Sequence, residues 1–187
     1  MRRVFLVLAA AALVMGGSAC SDDADPEAAP PDPPTPAVST TPASGPVAPT
    51  LPPEAEGDDA AAAEAFVRFY WEMADYAQAT GDVSGLGRLA AAECIQCTAG
   101  QEFVSDVYAR GGEIRGGTTS PTNPKAVALN ANDGAAFQVR MKLRTERQVV
   151  DLVGEKDDTI HPASTVSMQM VVERAGQRWV VAFWDAS

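Results

Sequence analysis

Hydrophobic side chains recur at helical spacing from Ala60 to Thr80. Phe66, Phe69, Tyr70, Met73 and Tyr76 form one stripe, and Val67, Trp71 and Ala74 form a second beside it. The pattern predicts one long helix buried over a wide face. Asp58 or Asp59 stands where a carboxylate caps the first turn, Glu64, Arg68 and Glu72 are spaced four apart on the expected wet side, and Gly81 is placed to end the helix. A short second helix is expected after Ser84, using Leu86, Leu89 and Ala90, and running to a turn at Cys94 to Cys97. A third is expected from about Thr98, where Thr98 and Gln101 have capping-box spacing. It would bury Phe103, Val104, Val107 and Tyr108 and stop at Gly111-Gly112.

Past Gly112 the period falls to two. Lys125 to Ala131 reads as a strand and Asp133-Gly134 as a hairpin turn. Phe137 to Thr145 then alternates Phe137, Val139, Met141 and Leu143 against Gln138, Arg140, Lys142 and Arg144. Val166, Met168, Met170 and Val172 alternate in the next strand, and Ala175-Gly176 turns the chain. Arg178 to Asp185 returns with Trp179, Val181 and Phe183 opposite Val180, Ala182 and Trp184. Helices followed by an antiparallel meander define an α+β fold: one long and two shorter helices on a curved sheet of about four strands.

The first residues carry a different pattern. Arg2 and Arg3 precede Val4 to Met15, twelve residues without a polar side chain, and Gly17-Ser18-Ala19 leads to Cys20. Twelve apolar residues fall short of the roughly 20 that span a bilayer. Residues 1–19 resemble a bacterial lipoprotein signal peptide, with Gly17 where the lipobox usually has Leu. The resemblance implies cleavage before Cys20 and acylation of its sulfur. Two acyl chains would then hold the protein on the extracytoplasmic side of the cell membrane. A retained membrane span, and a leader cut after Ala19 without acylation, are the alternatives.

Composition shifts again from residue 20. Residues 20–59 hold eleven of the fourteen prolines, nine acids and no Lys or Arg. So little apolar surface and so much uncompensated charge predict a disordered tether, reaching on the order of 120 Å at about 3.1 Å per residue. A proline-recognising partner is the competing use of this stretch. Residues 60–187 carry twelve Lys or Arg against sixteen Asp or Glu, a net of −4, which argues against nucleic acid as a partner. Their 128 residues suffice for one core.

Among three cysteines, assigning Cys20 to lipid leaves Cys94 and Cys97 as a pair in an exported domain, where a bridge persists. A loop this short gives roughly 2 kcal/mol. The same spacing serves thiol–disulfide exchange, but exchangers place the pair at a helix start after a βα unit. Here the pair is expected to end a helical segment before any strand, so a structural bridge is the favoured reading. His161, the single histidine, has Glu155, Asp157 and Asp158 nearby in sequence, yet four metal ligands do not assemble. No metal and no cofactor is expected. Arg140, Lys142 and Arg144, with Arg147 close by, would meet an anionic surface such as lipid headgroups or wall polymer, or form a plain solvated strand face.

The order of elements, ending in a Trp-rich strand, resembles the nuclear transport factor two-like superfamily. Phe69-Tyr70-Trp71, Thr80-Gly81-Asp82, Leu86, Cys94-Ile95-Gln96-Cys97 and the Trp179 strand are similar to an uncharacterised family of actinobacterial lipoproteins, over residues 60–187. The resemblance implies a cone with a pocket between helix and sheet, and no assigned activity. Enzymes of the superfamily place a carboxylate inside the cone, often with Tyr or His, which makes Asp75, Tyr70 and Tyr76 the candidate acid–base residues. The aromatics, however, lie on the core stripe and Asp75 near the wet face. The expected function is therefore a non-enzymatic, lipid-anchored binding domain of the cell envelope, its partner an envelope protein, wall polymer or small ligand. The alternatives are a small isomerase or hydrolase with a buried carboxylate and, third, a redox protein.

Overall fold

The computed structural model describes residues 45–130 and 134–187. The expected signal peptide, Cys20, most of the tether and Asp133 of the expected hairpin turn lie outside the described residues.

The long helix, α1 (Ala60–Thr80), forms as its periodicity predicts. The Asp59 carboxylate accepts the Ala62 N–H at 2.8 Å, and Gly81, at φ 79°, closes the other end through its N–H to the Ala77 carbonyl. Phe66, Val67, Phe69, Tyr70, Met73 and Ala77 are buried along one face. The second helix is shorter than expected: α2 is only Ser84–Gly87, Leu89 follows it in a turn, and Ala90 forms a bridge with Val181. The third, α3 (Ile95–Ala109), begins earlier than Thr98. Cys94 caps it, and Thr98 and Gln101 donate to the Cys94 and Cys97 carbonyls instead of forming a capping box.

The expected single sheet is in fact two. β2 (Thr119–Ala128), β3 (Ala136–Thr145), β6 (Ser164–Ala175) and β7 (Arg178–Ala186) form an antiparallel sheet in the order β2-β3-β6-β7. β1 (Glu113–Gly116), β4 (Gln148–Asp151) and β5 (Thr159–His161) form a second, in the order β1-β4-β5. The orders match because β1 runs into β2, β3 into β4 and β5 into β6. Three long strands bend together and each serves both sheets. Gly116 makes the bend at φ 69°, where a Cβ would stand 2.4 Å from the Arg147 carbonyl oxygen.

The main core lies between α1 and the inner face of the larger sheet, around Phe66, Val139, Met170, Val172, Val181 and Trp179. Trp179 stacks on Phe66 at 6.0 Å between ring centres, and burying each such side chain is worth about 1.5–3 kcal/mol. A second, smaller core of Val104, Val107, Ile114 and Val150 joins α3 to the smaller sheet.

Three local features depart from the alternation read in the sequence. β2 starts at Thr119, not Lys125, and carries Pro121 and Pro124, which an edge strand tolerates; a bulge between Thr122 and Lys125 shifts its register. In β7, Val172 faces Val181 but Val171 faces Phe183, so Ala182 is an extra residue. The bulge reverses the phase: Trp184 turns inward opposite Met170, and Phe183 is exposed instead of buried. Lastly, order extends upstream of Ala60. Pro53–Ala55 forms a 3-10 turn, Ala55 is fully buried against α1, and the Trp179 indole N–H donates to the Gly57 carbonyl at 3.1 Å.

Both edges of the larger sheet are occupied. The Leu89 carbonyl and Ala91 N–H bond to Val181 along β7. On β2, two carboxylates of α1 take main-chain N–H groups: Glu64 that of Ala126 at 3.0 Å, and Asp75 that of Thr119 at 3.0 and 3.1 Å. Glu64 is thus a strand anchor and not a residue of the wet side. Such cover blunts both edges as templates for pairing with another chain.

Candidate functional site

β3 alternates as read: Phe137, Val139, Met141 and Leu143 point into the core, and Arg140, Lys142 and Arg144 are exposed on the outer face. Register then adds a residue that spacing alone did not supply. Lys125 of β2 lies directly opposite Arg140. Lys142 lies between Thr122 and Ser167, donating to the Ser167 hydroxyl at 2.8 Å, and Arg144 lies between Ser120 and Thr165. Around Lys125, Arg140 and Lys142 a shallow basin of about 500 Å³ opens over the β2 bulge, where Asn123 holds φ 49°.

Cations predominate on this face. Among the described residues every ion pair within 4.0 Å belongs to Arg115, and none of the four outer-face cations has a carboxylate at that distance. Asp185 also borders the basin, two strands from Arg140 across Gln169. Like charges directly opposite each other on a sheet cost roughly 0.2–1 kcal/mol. The Lys125–Arg140 pair carries that cost with no packing return, because both side chains are exposed. Arg147, expected nearby, sits instead at the bend, where its carbonyl accepts the Gly117 N–H at 3.1 Å.

Cys94 and Cys97 are disulfide-bonded. Their position differs from the sequence reading: the pair opens α3 and does not end a helix. A helix start is the setting of exchange sites, yet both residues are only 1 % exposed, and an attacking thiolate cannot reach a buried sulfur.

The acid–base candidates are not gathered. Asp75 is half-buried, not on the wet face, and both its oxygens are held by Thr119: the N–H bonds to each and the hydroxyl to one at 3.0 Å. Burial pushes its pKa up to about 6 against these hydrogen bonds, with Glu72 and Glu146 adding to the rise. Burial likewise pushes the Tyr70 hydroxyl up to about 12, opposed by the nearby Trp184 indole. The Trp184 indole nitrogen still falls short of a hydrogen bond, and it and that of Trp71 are buried without a partner among the described residues. Tyr76 packs at the margin of the core, and its carbonyl accepts the Thr80 hydroxyl.

His161 ends β5 opposite Gln148 and lines an open groove of about 610 Å³ with Glu102 and Asp106 of α3. Asp158 is drawn away to Arg115 at 3.1 Å, so the acids near His161 in sequence do not collect around it. No three His, Cys, Asp or Glu side chains among the described residues are grouped to hold a metal.

A family model described as a family of unknown function (DUF6318) matches residues 35–183. The chain belongs to this family. No curated protein gives a significant match to it. Among solved structures, the chain is similar to the intermembrane space region of chloroplast protein ARC6, at a TM-score of 0.51 and 13 % identity, over 68 % of this chain and 95 % of that one. At that identity the likeness is one of fold alone. No helix among the described residues is long and apolar enough to cross a membrane.

Proposed function

We propose that this DUF6318 chain is a non-enzymatic binding protein of the cell envelope: a lipoprotein moored through Cys20, carrying a domain of the nuclear transport factor two-like cone type. Its outer sheet face binds an anionic wall polymer. The observation that carries this reading is the pairing of Lys125 with Arg140, flanked by Lys142 and Arg144, with no carboxylate within salt-bridge distance among the described residues. The whole chain bears a net charge of −11, so a cluster of unpaired cations on one face is a local inversion of the molecule's field. Repeating phosphates or carboxylates on a polymer would meet successive rows of the sheet, about 4.8 Å apart from strand to strand.

The mooring rests on Arg2, Arg3, the apolar run Val4 to Met15 and Cys20. An isomerase or hydrolase reading would use Asp75, whose pKa is suited to proton transfer. Thr119 occupying both carboxylate oxygens speaks against it.

Cosedimentation with purified anionic wall polymer tests the binding face. Arg140→Glu, Lys142→Glu and Arg144→Glu together should weaken binding at least tenfold, and the wild-type interaction should fade as salt rises. Unchanged cosedimentation of the triple variant overturns the proposal. For the mooring, mass spectrometry of the native chain should find acyl groups on Cys20, and Cys20→Ser should move the protein from the membrane to the soluble fraction.

A further inference from the structure

A separate cavity of about 270 Å³ lies between the N-terminal segment, α1 and the β6–β7 hairpin. Its floor is apolar, with Phe66, Phe69, Met73 and Trp179 packed beneath it; Leu51 of the strap that precedes α1 forms one side, and Gln177 stands at the edge. Its rim is cationic. Arg88 and Arg178 border it. Asp82 senses Arg88 only as the least of its influences, and neither rim arginine has a carboxylate within 4.0 Å among the described residues.

An apolar floor under two unpaired guanidinium groups is complementary to a molecule with an aliphatic body and an anionic head. We infer that this cavity binds a single-chain aliphatic carboxylate of medium length, its chain against Phe66, Phe69 and Trp179 and its carboxylate between Arg88 and Arg178. At roughly 30 Å³ for each water-sized group, the cavity takes about nine non-hydrogen atoms. An eight-carbon chain with its head at the rim fits that size. A neutral chain would gain the apolar contact but leave both arginines unpaired. A small inorganic anion would meet the rim and leave the floor empty.

The strap forms one side of this half-open cavity. Pro49 and Leu51 form a wall without belonging to a helix or strand, and Leu51 is 42 % exposed. Ala55 and the Gly57–Trp179 hydrogen bond keep the base of the strap in place beside the open side of the cavity.

The test uses octanoate and octanol with the full chain carrying Cys20→Ser, labelled with 15N at tryptophan. Three tryptophans give three indole N–H signals, assigned with Trp179→Phe. Octanoate should shift the Trp179 signal saturably and leave those of Trp71 and Trp184 in place. Octanol should bind at least tenfold more weakly, and Arg88→Gln with Arg178→Gln should weaken octanoate at least tenfold without changing octanol. A Trp179 signal that does not move with octanoate overturns the inference, as does octanol binding as tightly as octanoate. Octanoate affinity unaffected by the double arginine variant overturns it equally.

Discussion

Replacing Asp75 with Asn isolates a half-buried carboxylate whose titration folding displaces upward. Its pKa moves from the ordinary 3.8 to about 6, chiefly by burial. The native state therefore holds this proton more tightly than the unfolded chain, and between those two values it carries the greater share of protons. Stability from this group is present below pH 3.8 and is lost as pH rises through 6. The full displacement corresponds to about 3 kcal/mol. Solvent reaching the half-open carboxylate reduces this to roughly 1–2 kcal/mol. Asn keeps the geometry, because its carbonyl accepts the Thr119 N–H and its amide donates to the Thr119 hydroxyl, and it does not titrate. Urea unfolding followed by circular dichroism at pH 4, 5, 6 and 7 gives the comparison. Wild type should lose about 1–2 kcal/mol more than Asp75→Asn between pH 4 and pH 7. Parallel curves would refute the reasoning, and so would a wild type that gains stability relative to the variant as pH rises.

Gly81→Ala forces a Cβ to 2.7 Å from the Tyr108 ring at φ 79°, and should cost about 2–4 kcal/mol in equilibrium unfolding. Cys94→Ser with Cys97→Ser should cost roughly 2 kcal/mol by the same measurement; reductant, which reaches the bridge once the chain unfolds, should destabilise wild type by a matching amount at equilibrium without altering the double variant. Glu64→Ala removes the acceptor of the Ala126 N–H; hydrogen exchange at Ala126 should accelerate about tenfold, while amides in the middle of β3 keep their protection.

The long helix and β3 were legible because each keeps one period for many residues. A twenty-one-residue stripe or a ten-residue alternation outweighs any single exception. The smaller sheet was not: β1 and β5 are four and three residues long, and β5 has no buried residue to mark a face. In β7 the alternation was visible but its phase changed at Ala182, because a bulge is a matter of pairing with β6 and leaves no mark in composition. The basic stripe on β3 was legible for the same reason as the strand. Lys125 joined it only through register across a bulge, and Glu64 and Asp75 were placed toward water because helical spacing says nothing about a strand that packs beside the helix. The even pair left by Cys20 makes the Cys94–Cys97 bridge legible, but its place at the start of α3 depends on α2 ending early at Gly87.

The seat of Ala55 and the hydrogen bond from Trp179 to Gly57 also set how this domain bears load. Tension drawn through the residues before Ala55 arrives at this small latch ahead of the first turn of α1. The latch joins the incoming chain to β7, at the far end of the sequence, so the pull is shared with an already interlocked sheet and is not spent unwinding a helix from its tip.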